Sequence, residues 1–114
     1  MPVPSEDNLL AQSCAERVVI TLPGEIDVTS SPRIRETLLA AISRRPSVVV
    51  ADMTATTFCD SSGMGAIVYA YRQAVEVGTD LRVVIGHSAA RRVFELQGVD
   101  TVIGIYPNLP AALG

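Results

Sequence analysis

The chain has 114 residues, 48% apolar and 18% charged, with a formal net charge of −3. That is the size of one domain, residues 1–114, with apolar material enough for a core; at 4% aromatic and without Trp, the core must be aliphatic. The acidic balance argues against nucleic-acid binding, since Arg44-Arg45 and Arg91-Arg92 are isolated basic pairs, and no apolar run reaches transmembrane length.

Residues 1–7 are Pro-rich and polar and read as a flexible arm. No basic region followed by an apolar stretch opens the chain, so no signal peptide is expected. Residues 9–15 alternate weakly, as a short edge strand would. Arg17-Val18-Val19-Ile20-Thr21-Leu22 is a clearer strand, rich in β-branched residues. Only a couple of residues around Glu16 separate the two, which predicts an antiparallel hairpin. Pro23-Gly24 breaks the strand. Val28-Thr29-Ser30-Ser31-Pro32 reads as a helix start with hydroxyl caps and Pro32 in the first turn. Ile34, Leu38, Ala41 and Ile42 mark the buried face of that helix, and Pro46 stops it.

Val48-Val49-Val50-Ala51 is apolar on both faces and reads as an interior strand. Met64, Ile67, Val68, Tyr71 and Val75 then follow helical spacing up to Gly78, a natural stop. Leu81-Arg82-Val83-Val84-Ile85 is the next strand. Ser88 is expected to cap a short helix with Val93, Phe94 and Leu96 apolar, ended by Gly98. Val102-Ile103-Gly104-Ile105 reads as a last short strand, and a helical turn follows in which Leu113 docks. Strands alternating with helices after an initial hairpin predict an α/β domain with a mostly parallel sheet and right-handed crossovers.

The stretch with most chemical interest is Asp60-Ser61-Ser62-Gly63-Met64-Gly65, where the chain leaves a loop and enters a helix. Ser62 or Ser61 can cap that helix, and on local spacing alone a cap is the commoner role. Gly63 and Gly65 cost roughly 1 kcal/mol each relative to Ala, but keep bulk away from the serines. A helix N-terminus tolerates an anion, so an exposed serine there is a place to write a charge.

Asp60-Ser61-Ser62-Gly63-Met64-Gly65 resembles the D-S-[ST]-G-[LM]-G signature of bacterial anti-sigma-factor antagonists, small members of the STAS family. Gly24-Glu25-Ile26-Asp27 is similar to that family's G-E-[LI]-D turn. The run from Ser88 through Arg91-Arg92-Val93-Phe94 is similar to a helix of that family that carries a basic pair followed by apolar residues. Three motifs in order make the resemblance span nearly the whole chain. It implies a STAS fold: a mixed, mostly parallel sheet of four or five strands, with helices mainly on one side.

The resemblance also implies roles. Ser61, the first hydroxyl after Asp60, matches the phosphoacceptor, and Ser62 matches the neighbouring cap. Asp27 and Asp60 lie near the acceptor and, with Ser61, Ser62, Gly63 and Met64, shape a partner surface. Taken alone, either Asp reads as a turn carboxylate bonding its own backbone. The implied partners are an anti-sigma factor that is also a serine kinase, and a metal-dependent serine phosphatase. The chain would then be a cytoplasmic, bacterial, non-enzymatic regulator of transcription, monomeric or weakly dimeric, without cofactor or metal.

Cys59 stands where the family has a larger apolar residue, and reads as a small packed hydrophobe. Cys14 and Cys59 lack C-x-x-C spacing and read as reduced thiols. His87, the single histidine, has no ligand spacing and reads as a turn residue. The absence of a G-x-S-x-G elbow and of a phosphate-binding loop argues against a hydrolase or an ATPase. The rival expectation is an accessory STAS subunit of a membrane transporter for lipid or anion traffic.

Overall fold

The computed structural model describes residues 10–14, 17–86 and 89–114. The expected arm at 1–7, the hairpin turn around Glu16, His87 and the Ser88 cap lie outside the described residues. Five strands form one sheet in the order β1 (Leu10–Cys14), β2 (Arg17–Thr21), β4 (Val48–Asp52), β6 (Asp80–Val84), β7 (Gly104–Tyr106). β1 runs antiparallel to β2; every later pairing is parallel. The α/β expectation with a mostly parallel sheet holds.

Between these strands lie α1 (Ser31–Ser43), α2 (Ser61–Val77), α3 (Ala89–Leu96) and α4 (Leu109–Leu113), with a 3-10 turn at Val99–Thr101. The period of two along β4 sorts the layers. Val49 and Ala51 face the main core, with Ile34 and Leu38 of α1, Ile67 and Ala70 of α2, and Phe94 of α3. Val48 and Val50 face the other way, joining Val19, Val84 and Ala112 beneath α4. Each fully buried Leu, Ile or Val here stabilises by about 1.5–3 kcal/mol. Three helices on one face and five residues of helix on the other fit the expected one-sided arrangement. α4 is held by Asn108, whose side chain accepts the Ala111 N–H, and by the Arg82 guanidinium, which donates to the Ala112 carbonyl.

Details depart from expectation where packing outweighs spacing. Val75 is 59% exposed, because the buried stripe of α2 runs through Ala66, Ile67, Ala70 and Ala74 instead. Alanines let α2 approach its neighbours closely, yet weigh little in an apolar pattern. Leu96 and Val102 are also exposed, and Ile103 is buried just before β7. α2 stops at Gly78, whose φ of 78° is readily adopted only by glycine.

Two strands of two residues each escaped the reading. β3 (Glu25–Ile26) and β5 (Phe58–Cys59) pair in parallel as a separate ribbon, with Ile26 opposite Cys59. The G-E-[LI]-D stretch is therefore a strand and its exit rather than a simple turn.

Candidate functional site

The ribbon decides where the candidate residues meet. Its register is fixed by the Thr57 N–H on the Gly24 carbonyl (2.8 Å), the Asp60 N–H on the Ile26 carbonyl (3.1 Å) and the Thr56 hydroxyl on the Pro23 carbonyl (2.8 Å). Asp27 and Asp60 follow the paired Ile26 and Cys59, so both leave the ribbon at the same level.

The expected serine cap of α2 is not what forms. Asp60 is the N-cap, in extended conformation (φ −87°, ψ −175°). Its Oδ1 accepts the Ser62 N–H at 2.9 Å, the Gly63 N–H at 3.0 Å and the Ser62 hydroxyl at 2.5 Å. Its carbonyl accepts the Met64 N–H at 3.1 Å. A carboxylate outcompetes a hydroxyl for these donors because the bonds are charge-assisted. The Ser62 hydroxyl, then the Gly63 amide, hold the Asp60 carboxyl below its ordinary range, while the nearby Asp27 charge works against them. The amides of Gly63 and Met64, which at a bare helix N-terminus could hold an anion, are thus already occupied.

Asp27 repeats the arrangement. Its Oδ1 accepts the Thr29 N–H at 2.9 Å and the Thr29 hydroxyl at 2.5 Å. These bonds, the hydroxyl's first, lower its pKa. The expected hydroxyl cap of α1 also fails: Ser30 occupies the N-cap, but its oxygen accepts the Asp27 N–H at 3.1 Å and makes no cap bond.

Ser61 directly follows Asp60 as the first residue of α2; it is exposed, and its hydroxyl bonds to nothing among the described residues. Gly63 and Met64, which the resemblance assigns to the partner surface, face inward, Met64 as its helical spacing predicts. Met64 is 6% exposed, and a Cβ on Gly63 would lie 2.4 Å from Ile26 Cγ2 and 2.8 Å from Cys59 Sγ. Gly63 therefore lets α2 dock on the ribbon, while Gly65, with open space at its Cβ position, faces outward. Cys59 packs as expected; burial, aided by the Asp60 charge, pushes its thiol up to about 11. The reading missed Val28, 69% exposed, and Phe58, 49% exposed, which flank the two carboxylates. No group of side chains suited to a metal ion occurs among the described residues.

The sequence profile of the STAS domain family matches residues 10–112. A Paenibacillus polymyxa protein named anti-sigma F factor antagonist is 29% identical over 97 residues, covering 84% of this chain and 83% of its own. An anti-sigma-B factor antagonist of Listeria monocytogenes is 30% identical over 91 residues, 79% of either chain. The crystal structure of an anti-sigma factor antagonist from Mycobacterium paratuberculosis matches with a TM-score of 0.85 at 26% identity, covering 97% of this chain and 96% of that one.

Proposed function

The chain belongs to the STAS domain family, and from that premise we propose that it is an anti-sigma-factor antagonist switched off by phosphorylation of Ser61. The names of its relatives support the antagonist role. The observation that carries the switch is the Ser61 hydroxyl: exposed, unbonded among the described residues, and fixed on the first turn of a helix next to its Asp60 cap.

In this reading the unmodified surface docks on an anti-sigma factor and frees the sigma factor. Asp27, Asp60 and Ser62 present the polar part, and Val28 and Phe58 supply apolar anchors beside it. Gly63 and Met64 support that surface from beneath. The anti-sigma factor is also the kinase. It transfers the γ-phosphoryl of ATP to Ser61 Oγ: the new O–P bond forms as the bond to the ADP oxygen breaks, and the hydroxyl proton goes to the kinase's carboxylate. A metal-dependent phosphatase returns the serine by hydrolysis. The chain itself is substrate and binding module, not catalyst, and works in the cytoplasm as a monomer or weak dimer.

The blocking effect follows from the cap. A phosphoserine adds about 1.5–2 negative charges. The Ser62, Gly63 and Met64 amides are already held by Asp60, so the new charge gains nothing from them and stands near Asp27 and Asp60. A docking partner would desolvate it unpaired. The test is to incubate the chain with its kinase and ATP and map the phosphate by mass spectrometry. Ser61 should carry it; phosphate on Ser62 or Thr57 with Ser61 bare would defeat the proposal.

A further inference from the structure

A half-open groove of about 370 Å³ separates the first turns of α1 and α2, lined by Ser31, Pro32 and Arg35 on one side and Ser62, Gly65 and Tyr69 on the other. Its size is at the lower end of small-molecule sites, roughly 300–1,000 Å³. Ser31 is 8% exposed, yet its hydroxyl has no hydrogen-bond partner among the described residues. Buried polar groups are normally satisfied, so a hydroxyl in the wall of a groove points to an acceptor that arrives from outside.

The Arg35 guanidinium lies 5.7 Å from the centroid of the Tyr69 ring and pairs with no carboxylate among the described residues. Stacking uses the face of the guanidinium and leaves its N–H edge free for a bidentate anion. No carboxylate lines the groove among the described residues, and the two carboxylates adjoining its lining residues, Asp27 beside Ser31 and Asp60 beside Ser62, are each engaged by a hydroxyl and at least one amide. Tyr69 is 46% exposed, and Gly65 leaves open space at its Cβ position. The walls thus offer a cation, a hydroxyl donor and an apolar surface within one small volume.

We propose that this groove binds a small organic anion: one carboxylate or phosphate group on a compact apolar body. The anionic group takes the Arg35 N–H edge and the Ser31 hydroxyl. The body lies on Tyr69 and Pro32 over Gly65. Ser62, one residue from Ser61, forms the adjoining wall, so the ligand would be a chemical input beside the phosphoacceptor. The inference goes beyond the Ser61 switch and needs neither kinase nor ATP to test.

The experiment titrates the isotope-labelled full chain with benzoate and phenyl phosphate, following amide shifts by NMR. Inorganic phosphate serves as the anion without a body, benzyl alcohol as the body without a charge. Saturable shifts are expected at residues 31, 35, 62, 65 and 69 with at least one of the two organic anions, and the one that binds names the anionic group. Arg35→Gln removes a charge-assisted pair and should weaken binding about tenfold or more. Gly65→Leu should fill the groove with a similar loss. Both positions are exposed, so neither change should lower the melting temperature. Ser31→Ala should weaken binding while leaving the melting temperature unchanged or higher. Shifts that never saturate with either anion, Arg35→Gln binding as well as wild type, or benzyl alcohol or inorganic phosphate matching the organic anions would each overturn the proposal.

Discussion

Asp27-Val28-Thr29 and Asp60-Ser61-Ser62 are two turns of one construction, set side by side where β3 and β5 end. In each, the Asp carboxylate accepts the amide at 2.9 Å and the hydroxyl at 2.5 Å of the residue two places on. Their difference lies in the residue after the hydroxyl. Ser30 follows Thr29, and its oxygen turns back to the Asp27 N–H, so α1 begins without a side-chain cap. Gly63 follows Ser62 and brings a further amide onto Asp60, so α2 begins at once. The same local chemistry therefore leaves Val28 at the tip of a turn and Ser61 on a rigid helix. One tip offers apolar surface; the other offers a hydroxyl whose position does not depend on its own bonds.

The comparison breaks most sharply at the tips. Ser61→Asp should weaken kinase binding by two decades or more, about 3 kcal/mol, because a buried unpaired interfacial charge costs that much. Its unfolding free energy should move by less than about 0.5 kcal/mol: the helix end favours the charge, while Asp27 and Asp60 oppose it. Ser61→Ala should bind like wild type. Val28→Asp should cost binding only about tenfold, as loss of one rim contact does. Paired titrations and urea melts read all three. Undiminished binding by the Ser61→Asp variant would remove Ser61 from the interface and favour the transporter-subunit alternative; loss of its fold would make the switch an unfolding event.

Gly63 separates the two turns next. Gly63→Ala forces a methyl against Ile26 and Cys59. Overpacking of about 1–3 kcal/mol is set against a helix-propensity gain of about 1, so urea unfolding should show a net loss of up to about 2 kcal/mol. Gly65→Ala has open space and should instead gain up to about 1 kcal/mol. Equal signs for the pair would mean that α2 can lift off the ribbon.

Smaller effects compare the carboxylates directly. Asp60→Ala removes a helix cap and should lower the melting temperature by a few degrees; Asp27→Ala removes only a turn bond and should lower it less. Both carboxyls sit below their ordinary value of 3.8 in the folded chain. The unfolded chain therefore protonates first as pH falls, and the stability these groups contribute is present above pH 3.8 and drains as pH drops through the folded values. The melting-temperature gap between wild type and the Asp27→Ala, Asp60→Ala double variant should be flat from neutral pH to about 5 and close below about 4. A gap that widens in acid would contradict the bonding described.

The long elements were legible because their signals are long. β2, β4 and β6 are β-branched runs, and α1 and α2 carry an apolar stripe over several turns. Ser61 was legible by resemblance, and its exposed, unbonded state agrees with that assignment without testing it. The ribbon was not legible: two-residue strands have no periodicity, and the bonds that hold β3 to β5 join residues 33 apart, as from Thr56 to Pro23. Asp60 as cap could have been found. The D-x-[ST] pattern occurs at Asp27, at Asp52 (whose carboxylate accepts the Thr54 amide) and at Asp60, each at a strand end. Gly63 could not, since its reason is a side chain at Ile26, far along the chain. Val75 and Leu96 were misplaced because spacing gives the face of a helix, not whether anything covers it.

α4 has a consequence for how the domain breathes. Five residues of helix cannot hold themselves in water; this one persists through Ala112, Leu109 and Leu113 on the sheet and the Arg82 contact. Its opening therefore takes far less free energy than unfolding the sheet, and it constitutes a separate cooperative unit. Amides of residues 111–114 should exchange with solvent deuterium through that local event, while those of β4 wait for the whole domain. Each opening bares Val19, Val50 and Val84, a strip of β-branched surface at the middle of the sheet, and gives the protein a brief, recurrent stickiness on the face opposite Ser61.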